Sequence, residues 1–372
     1  MALLKETLRT AFAGRRVLVT GHTGFKGAWL SEWLLSLGAQ VTGLSLPPPT
    51  EPSLFAQLGL ASRLRHEVID IRDAGAVARL VAEVEPEYTF HLAAQSLVRL
   101  SYEKPVETYA VNVLGTVHVL EALRALRNPS VAVMITTDKC YENREWVHGY
   151  REEDPLGGHD PYSSSKAAAE IAIAAYRASF CEGMDRRLSV ASARAGNVIG
   201  GGDWALDRIV PDSMRALAKG EPVRVRNPRS TRPWQHVLEP LGGYLELAAR
   251  LDAARHLDET GQARAAVLRS GFNFGPPLAS NRPVADLVGE ILKAWPGEWV
   301  DESQPSALHE AKLLNLATDK AYHLLGWQPR WDFADTVRRT VAWYRASRDE
   351  GAAFDAAAFT RSQIDSYTSI LP

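Results

Sequence analysis

Near the start of the chain an apolar run, Arg16-Val17-Leu18-Val19-Thr20, ends at Gly21, and two more glycines follow at Gly24 and Gly27 before a helical pattern begins. This feature restricts the fold more than any other. A strand that turns at once into a helix needs a residue free to adopt unusual backbone angles, and no side chain where the two backbones approach. The helix start so formed points N–H groups and positive dipole into the turn, which suits a pyrophosphate. Glycines three apart between a strand and a helix form a variant of the dinucleotide-binding turn that opens a βαβ unit. On this reading Gly21, Thr23, Gly24, Phe25, Lys26 and Gly27 make the cofactor-binding turn.

Downstream, short apolar runs at 40–44, 67–69, 88–92, 131–135 and 189–194 alternate with helical patterns at 28–37, 74–84 and 112–126. Such alternation predicts a parallel sheet covered by helices on both faces. A further helix is expected from Asp160-Pro161, where Asp caps the free N–H groups and Pro fits the first turn. Beyond residue 194 the segments GNVIGGGDW and RVRNPRSTRPWQH have the Gly, Pro, Arg and Trp content of ordered binding loops, and a strand returns at 267–272. The fold class is therefore α/β: a Rossmann-type doubly wound parallel sheet with a smaller interleaved substrate-binding domain. Residues 1–193 and 239–272 form the first part, 194–238 and 273–350 the second, and 351–372 is a tail without assignment.

Composition narrows the function. The formal net charge of −2 leaves no cationic excess for a nucleic-acid backbone. Two cysteines, Cys140 and Cys181, build neither a disulfide framework nor a cysteine-rich metal site. No apolar run reaches bilayer-spanning length. The expectation is a cytoplasmic protein with no metal, nucleic-acid or membrane partner.

The chemistry gathers in two places. Tyr162 and Lys166, four apart, share one face of the predicted helix. An ammonium beside a phenol stabilises the phenolate, so Tyr162 is expected to act as a base toward an alcohol while hydride leaves for a nicotinamide. The strand at 131–135 delivers Thr136-Thr137-Asp138-Lys139 to the carboxyl edge of the sheet, where ligands bind in open α/β folds. An alcohol dehydrogenase needs only Thr137 from this set, so Asp138-Lys139 points to a second proton-transfer task.

The motifs TTDKCYENREWVHGYREEDPLGGHDPYSSSK, HLAAQSLVRLSYEKP, RAGNVIGGGDW and RPWQHVLEPLGGY resemble the sugar-nucleotide 4,6-dehydratases of the extended short-chain dehydrogenase superfamily, over about residues 14–331. Relatives acting on other nucleotides carry Asp-Glu where this chain has Asp138-Lys139, and the Asp-Lys pair resembles the CDP-glucose branch. The resemblance implies NAD as cofactor and CDP-glucose as substrate. It implies Tyr162, Lys166 and Thr137 in oxidation at the sugar C4, Lys139 as base at C5 or stabiliser of the enolate, and Asp138 as acid at the C6 hydroxyl. It also implies cofactor contacts from Asp70, Ile71, Leu92, Ala93, Ala94, Gln95 and Asn112, and a homodimer or homotetramer paired through helices beside the Tyr-x-x-x-Lys helix. The region GLSLP at 43–47 has neither the acid that usually holds the adenosine ribose nor an Arg for a 2′-phosphate, and the reading is NAD rather than NADP. Arginine forks match phosphate oxygens, so Arg194, Arg208, Arg226 and Arg232, with Asn197, Trp204 and His236, are the substrate-binding candidates. The alternatives are an epimerase, a reductase or a 4,6-dehydratase for another nucleotide sugar, and a catalytically silent cofactor-binding protein.

Overall fold

The computed structural model describes residues 4–181, 187–303 and 313–370. Its central sheet has seven strands: β1 (Arg16–Thr20), β2 (Gln40–Ser45), β3 (Arg65–Val68), β4 (Tyr88–His91), β5 (Ser130–Ile135), β6 (Leu188–Ala195) and β7 (Gly271–Phe274). All are parallel, in the order β3-β2-β1-β4-β5-β6-β7. The direction of winding reverses between β1 and β4, which opens a crevice at the carboxyl ends of these strands.

The helices are α1 (Leu4–Phe12), α2 (Phe25–Ser36), α3 (Ala74–Val84), α4 (Gly115–Arg124), α5 (Pro161–Phe180), α6 (Ile209–Lys219), α7 (Leu238–Ala254), α8 (Phe333–Glu350) and α9 (Ala356–Thr368), with several shorter turns between them. Successive strand residues point to opposite faces, so alternation decides which core each joins. Val17, Val19, Val131 and Val133 face α1, α2 and α7, where Trp29, Trp33 and Leu241 are buried. Leu18, Ala132 and Met134 face α3, α4 and α5, packing with Leu80, Leu120 and Ile173. Both faces are covered, which is why β5 reads SVAVMI with every residue buried.

Asp160 caps α5 as its sequence implies, its carboxylate accepting from Ser163 N at 2.9 Å, with Pro161 in the first turn. Three elements differ from expectation. The last strand lies at 271–274, because 265–268 closes into a 3₁₀ turn. The helix expected from residue 112 begins earlier, at Pro105–Tyr109, and runs through a π turn at 110–114 into α4, so Asn112 sits inside a helical run. The tail folds as α9 and packs against α2.

Three two-stranded ladders lie outside the main sheet. Residues 198–199 pair with 235–236, 231–233 with 281–283, and 223–225 with 299–301. They carry the Arg-, Pro- and Trp-rich loops to one wall of the crevice.

Candidate active site

The glycine turn is built as its spacing requires. Gly21 has φ +75°, and a Cβ there would stand 2.8 Å from the Ala93 nitrogen. One on Gly27 would stand 2.1 Å from the Gly21 carbonyl oxygen, so strand and helix meet only because both side chains are absent. Gly24 leads into α2 without a side-chain cap, and the first turn of α2 holds no acid. An uncapped N-terminus beside such a close approach fits a dinucleotide pyrophosphate. Thr23 donates to the Leu46 carbonyl at 2.9 Å and lies 2.8 Å from Ser45 Oγ, which places two hydroxyls at the end of β2 where the acid is missing.

Across the switch point, Ala93 N donates to Thr20 Oγ1 at 3.1 Å and Leu92 N to the Thr20 carbonyl. Ala94 and Gln95 continue along this edge. Asn112 is fully buried. Its Oδ1 accepts from Gln95 N at 2.8 Å, and its Nδ2 donates to the Gln95 carbonyl and to Ser165 Oγ. Asn112 thus ties the edge at Gln95 to the Tyr162 helix through Ser165. Ile71 is buried with its side chain against Gly115, while Asp70 is ion-paired with Arg72 at 2.6 Å and held below the usual carboxylate range by it.

At the carboxyl end of β5, Thr137, Asp138 and Lys139 occupy a short 3₁₀ turn capped by Thr137. Thr137 Oγ1 donates to Asp138 Oδ1 at 3.0 Å and lies near enough to the Tyr162 hydroxyl to act on its ionisation. Lys166, one turn further along α5, donates to the Ile135 carbonyl at 3.3 Å. Burial raises the Tyr162 phenol to about 12, opposed by the nearby Thr137 hydroxyl. The charged groups acting on this phenol are Asp138, Arg208 and Asp160, while the Lys166 ammonium is turned to the Ile135 carbonyl. Burial also lowers Lys166, to about 8, and raises Asp138 above its ordinary range against the pull of Lys139. A buried carboxyl that resists ionisation is suited to donate a proton.

Lys26 turns toward α7. Its ammonium donates to the Tyr244 hydroxyl at 3.1 Å, and burial, then the nearby Lys166 charge, lower it to about 7. It belongs to the floor of the reaction centre. Neither this placement nor Tyr244 was legible in the sequence, because the contact joins α2 to α7 across more than two hundred residues.

Among the substrate candidates, Arg208 acts electrostatically on Tyr162 and Lys26, and Arg232 on Asp138, so both lie beside the reaction centre. Asn197 follows Gly196, where a Cβ would stand 2.6 Å from Asp138 Oδ2. Arg226 stands further out, paired with Asp207 at 2.6 Å.

Three candidates turn elsewhere. Arg194 is buried in an ion pair with Glu170 at 2.8 Å and donates to the Tyr141 hydroxyl, because a strand interior cannot leave a guanidinium unpaired. His236 is enclosed edge-on against Trp29 and Trp331, and burial depresses its pKa to about 3. Trp204 donates to Gln57 Oε1 and packs against Trp343 and Tyr344. Glu170 went unnoticed, although Tyr162, Lys166 and Glu170 stand four apart on one helix face. It accepts from Thr136, Ser192 and Arg194 directly beneath the reaction centre.

A doubly wound sheet, a glycine turn at its switch point and a Tyr-x-x-x-Lys helix beside a Thr-Asp-Lys turn together define a nucleotide-dependent enzyme of the extended short-chain dehydrogenase type. A family model described as GDP-mannose 4,6 dehydratase matches residues 18–340, and the chain belongs to that family. It is 48% identical over 340 residues to the CDP-glucose 4,6-dehydratase of Salmonella typhimurium, covering 90% of this chain and 91% of that one. It is 32% identical over 352 residues to a dTDP-glucose 4,6-dehydratase of Streptomyces antibioticus, covering 89% and 93%. Among solved structures, DesIV, a dTDP-glucose 4,6-dehydratase of Streptomyces venezuelae solved with NAD, superposes with TM-score 0.72 at 25% identity, covering 90% of this chain and 98% of that one. The epimerase Mth375 of Methanothermobacter thermautotrophicus shares the fold, with TM-score 0.75 at 22% identity over 93% and 96% of the two chains.

Proposed function

We propose that this chain dehydrates CDP-glucose to the 4-keto-6-deoxy sugar nucleotide, with NAD held at the glycine turn. The observation that carries the reading is the Thr137-Asp138-Lys139 turn set against Tyr162 and Lys166, together with 48% identity to a CDP-glucose 4,6-dehydratase along nine-tenths of the chain. Bound NAD supplies a hydride acceptor that returns the hydride later, so no net redox change occurs.

The chain's own groups handle the protons. Tyr162 Oη takes the proton of the sugar C4 hydroxyl, with Thr137 orienting it and Lys166 favouring the phenolate once a ligand turns its ammonium from the Ile135 carbonyl. The C4 ketone acidifies C5, whose proton Lys139 removes. Asp138, whose ionisation burial opposes, donates to the departing C6 hydroxyl, which leaves as water. Gly21, Gly24 and Gly27 admit the cofactor backbone, the edge from Leu92 to Gln95 borders its nicotinamide end, and Asp70 and Ile71 border its adenine end. Arg208, Arg226, Arg232 and Asn197 hold the substrate on the opposite wall. Subunits pair through the helix at 105–109, α4 and α5 in the cytoplasm.

The test is incubation with CDP-, dTDP-, GDP- and UDP-glucose, with and without added NAD⁺, followed by product mass. Loss of one water from CDP-glucose, without net NADH, is expected. Turnover of another nucleotide sugar alone overturns the substrate, and water loss from none overturns the reaction. Lys139→Ala is expected to lower kcat by about 10²–10⁴-fold while leaving cofactor binding intact; unaltered turnover removes Lys139 from the mechanism.

A further inference from the structure

Outside the reaction centre three charged side chains meet. Asp207 Oδ1 accepts from Arg226 Nη2 at 2.6 Å and lies 3.5 Å from Arg99 Nη1. The two guanidiniums come from different parts of the fold. Arg99 stands on the short helix Val98–Glu103 that follows the end of β4, and Arg226 follows the ladder strand Val223–Val225. Asp207 has φ +60°, a left-handed conformation uncommon for residues with a side chain. Its neighbour Arg208 lies close enough to Tyr162 and Lys26 to act on both. Two consecutive residues thus place a cation toward the reaction centre and an anion between two arginines beside it.

The ion pairs themselves do little for the fold, since all three side chains are about half exposed to water. Their geometry has another use. Two guanidiniums converging on one carboxylate oxygen form the arrangement that also receives a phosphate oxygen, and more strongly, because a diphosphate offers more charge and more acceptors.

We propose that Arg99 is a further substrate-binding residue, paired with Arg226 on the diphosphate, and that Asp207 is a stand-in which the diphosphate displaces. Asp207 is then an internal competitor: it keeps the two arginines converged while the site is empty and weakens nucleotide binding by the amount needed to release them. The inference rests on the nucleotide-sugar reading and adds to it a residue, Arg99, that is absent from the substrate-binding candidates read from the sequence.

Equilibrium binding of CDP to the full-length protein, measured calorimetrically, tests it. Asp207→Asn, and Asp207→Gly as a second variant that retains the left-handed angle, should each bind CDP several-fold tighter than wild type. Arg99→Ala should bind CDP about tenfold more weakly, with the loss in CDP-glucose conversion falling on KM rather than kcat. CDP binding that is unchanged or weaker in both Asp207 variants overturns the proposal, as does full affinity in Arg99→Ala. A wild-type protein that binds none of CDP, dTDP, GDP and UDP overturns the nucleotide-sugar reading and this inference with it. If the wild type binds one of them while the Asp207 variants bind it no tighter, the inference alone falls.

Discussion

Arg194 and Glu170 carry the lesson at the scale of single residues. An arginine at the end of a strand facing a crevice reads in sequence as a phosphate ligand, yet its guanidinium is buried against Glu170, with Tyr141 as a further acceptor. Burial works against the Glu170 charge, and Arg194 outweighs it, holding that carboxyl below its usual range. Removing one partner of such a pair leaves an uncompensated buried charge. Arg194→Ala should therefore lower stability by about 3–5 kcal/mol, read as a shift of the urea midpoint. A variant that keeps its stability but loses nucleotide affinity would return Arg194 to the substrate site. Tyr162, Lys166, Thr137 and the glycines were legible because their chemistry depends on fixed local spacing. Arg194, His236 and Lys26 were not, because whether a polar side chain faces a ligand or a partner is decided by residues distant in sequence.

At the scale of elements, regular hydrophobic alternation located six of the seven strands closely, and α3 at both ends. The exceptions share a physical cause. The π turn at 110–114 keeps helical hydrogen bonding while shifting the side-chain register, so no break in composition announces it. Helix α9 is a short segment whose charged contacts reach far back along the chain: Arg361 meets the buried Glu32 at 2.9 Å, and Tyr367 donates to the buried Glu239 at 2.9 Å. Glu239 also accepts from the backbone of Arg330 and Trp331, and burial raises it to about 7. Ending the chain after residue 350 should expose Trp33 and Trp343 and leave these carboxylates short of donors. The expected result is a melting temperature lower by many degrees, or an aggregated product, in a thermal scan. A truncated chain that melts with the full-length protein would make α9 an ornament.

For the whole molecule, the two walls of the crevice come from different stretches of chain, and the reaction centre exists only where they meet. The outer face bears on assembly. Val106 is 82% exposed, and Leu114 and Ile171 are also exposed, on helices that pack together beside Tyr162. Light scattering is expected to give at least a dimeric mass for the wild type and a monomeric one for Val106→Glu; a monomeric wild type would rule out pairing. Order of synthesis also follows from the architecture. By the time residue 195 leaves the ribosome, six strands and the Tyr162 helix have been made, yet β6 still offers one bare edge, because β7 arrives some seventy-five residues later. The helix that seals Trp33 of α2 comes later still, after residue 355. The nascent chain therefore carries Thr137, Asp138, Lys139, Tyr162 and Lys166 for about half of its translation before the second wall exists, and a chain stalled there holds an open-edged sheet of six strands rather than a finished crevice.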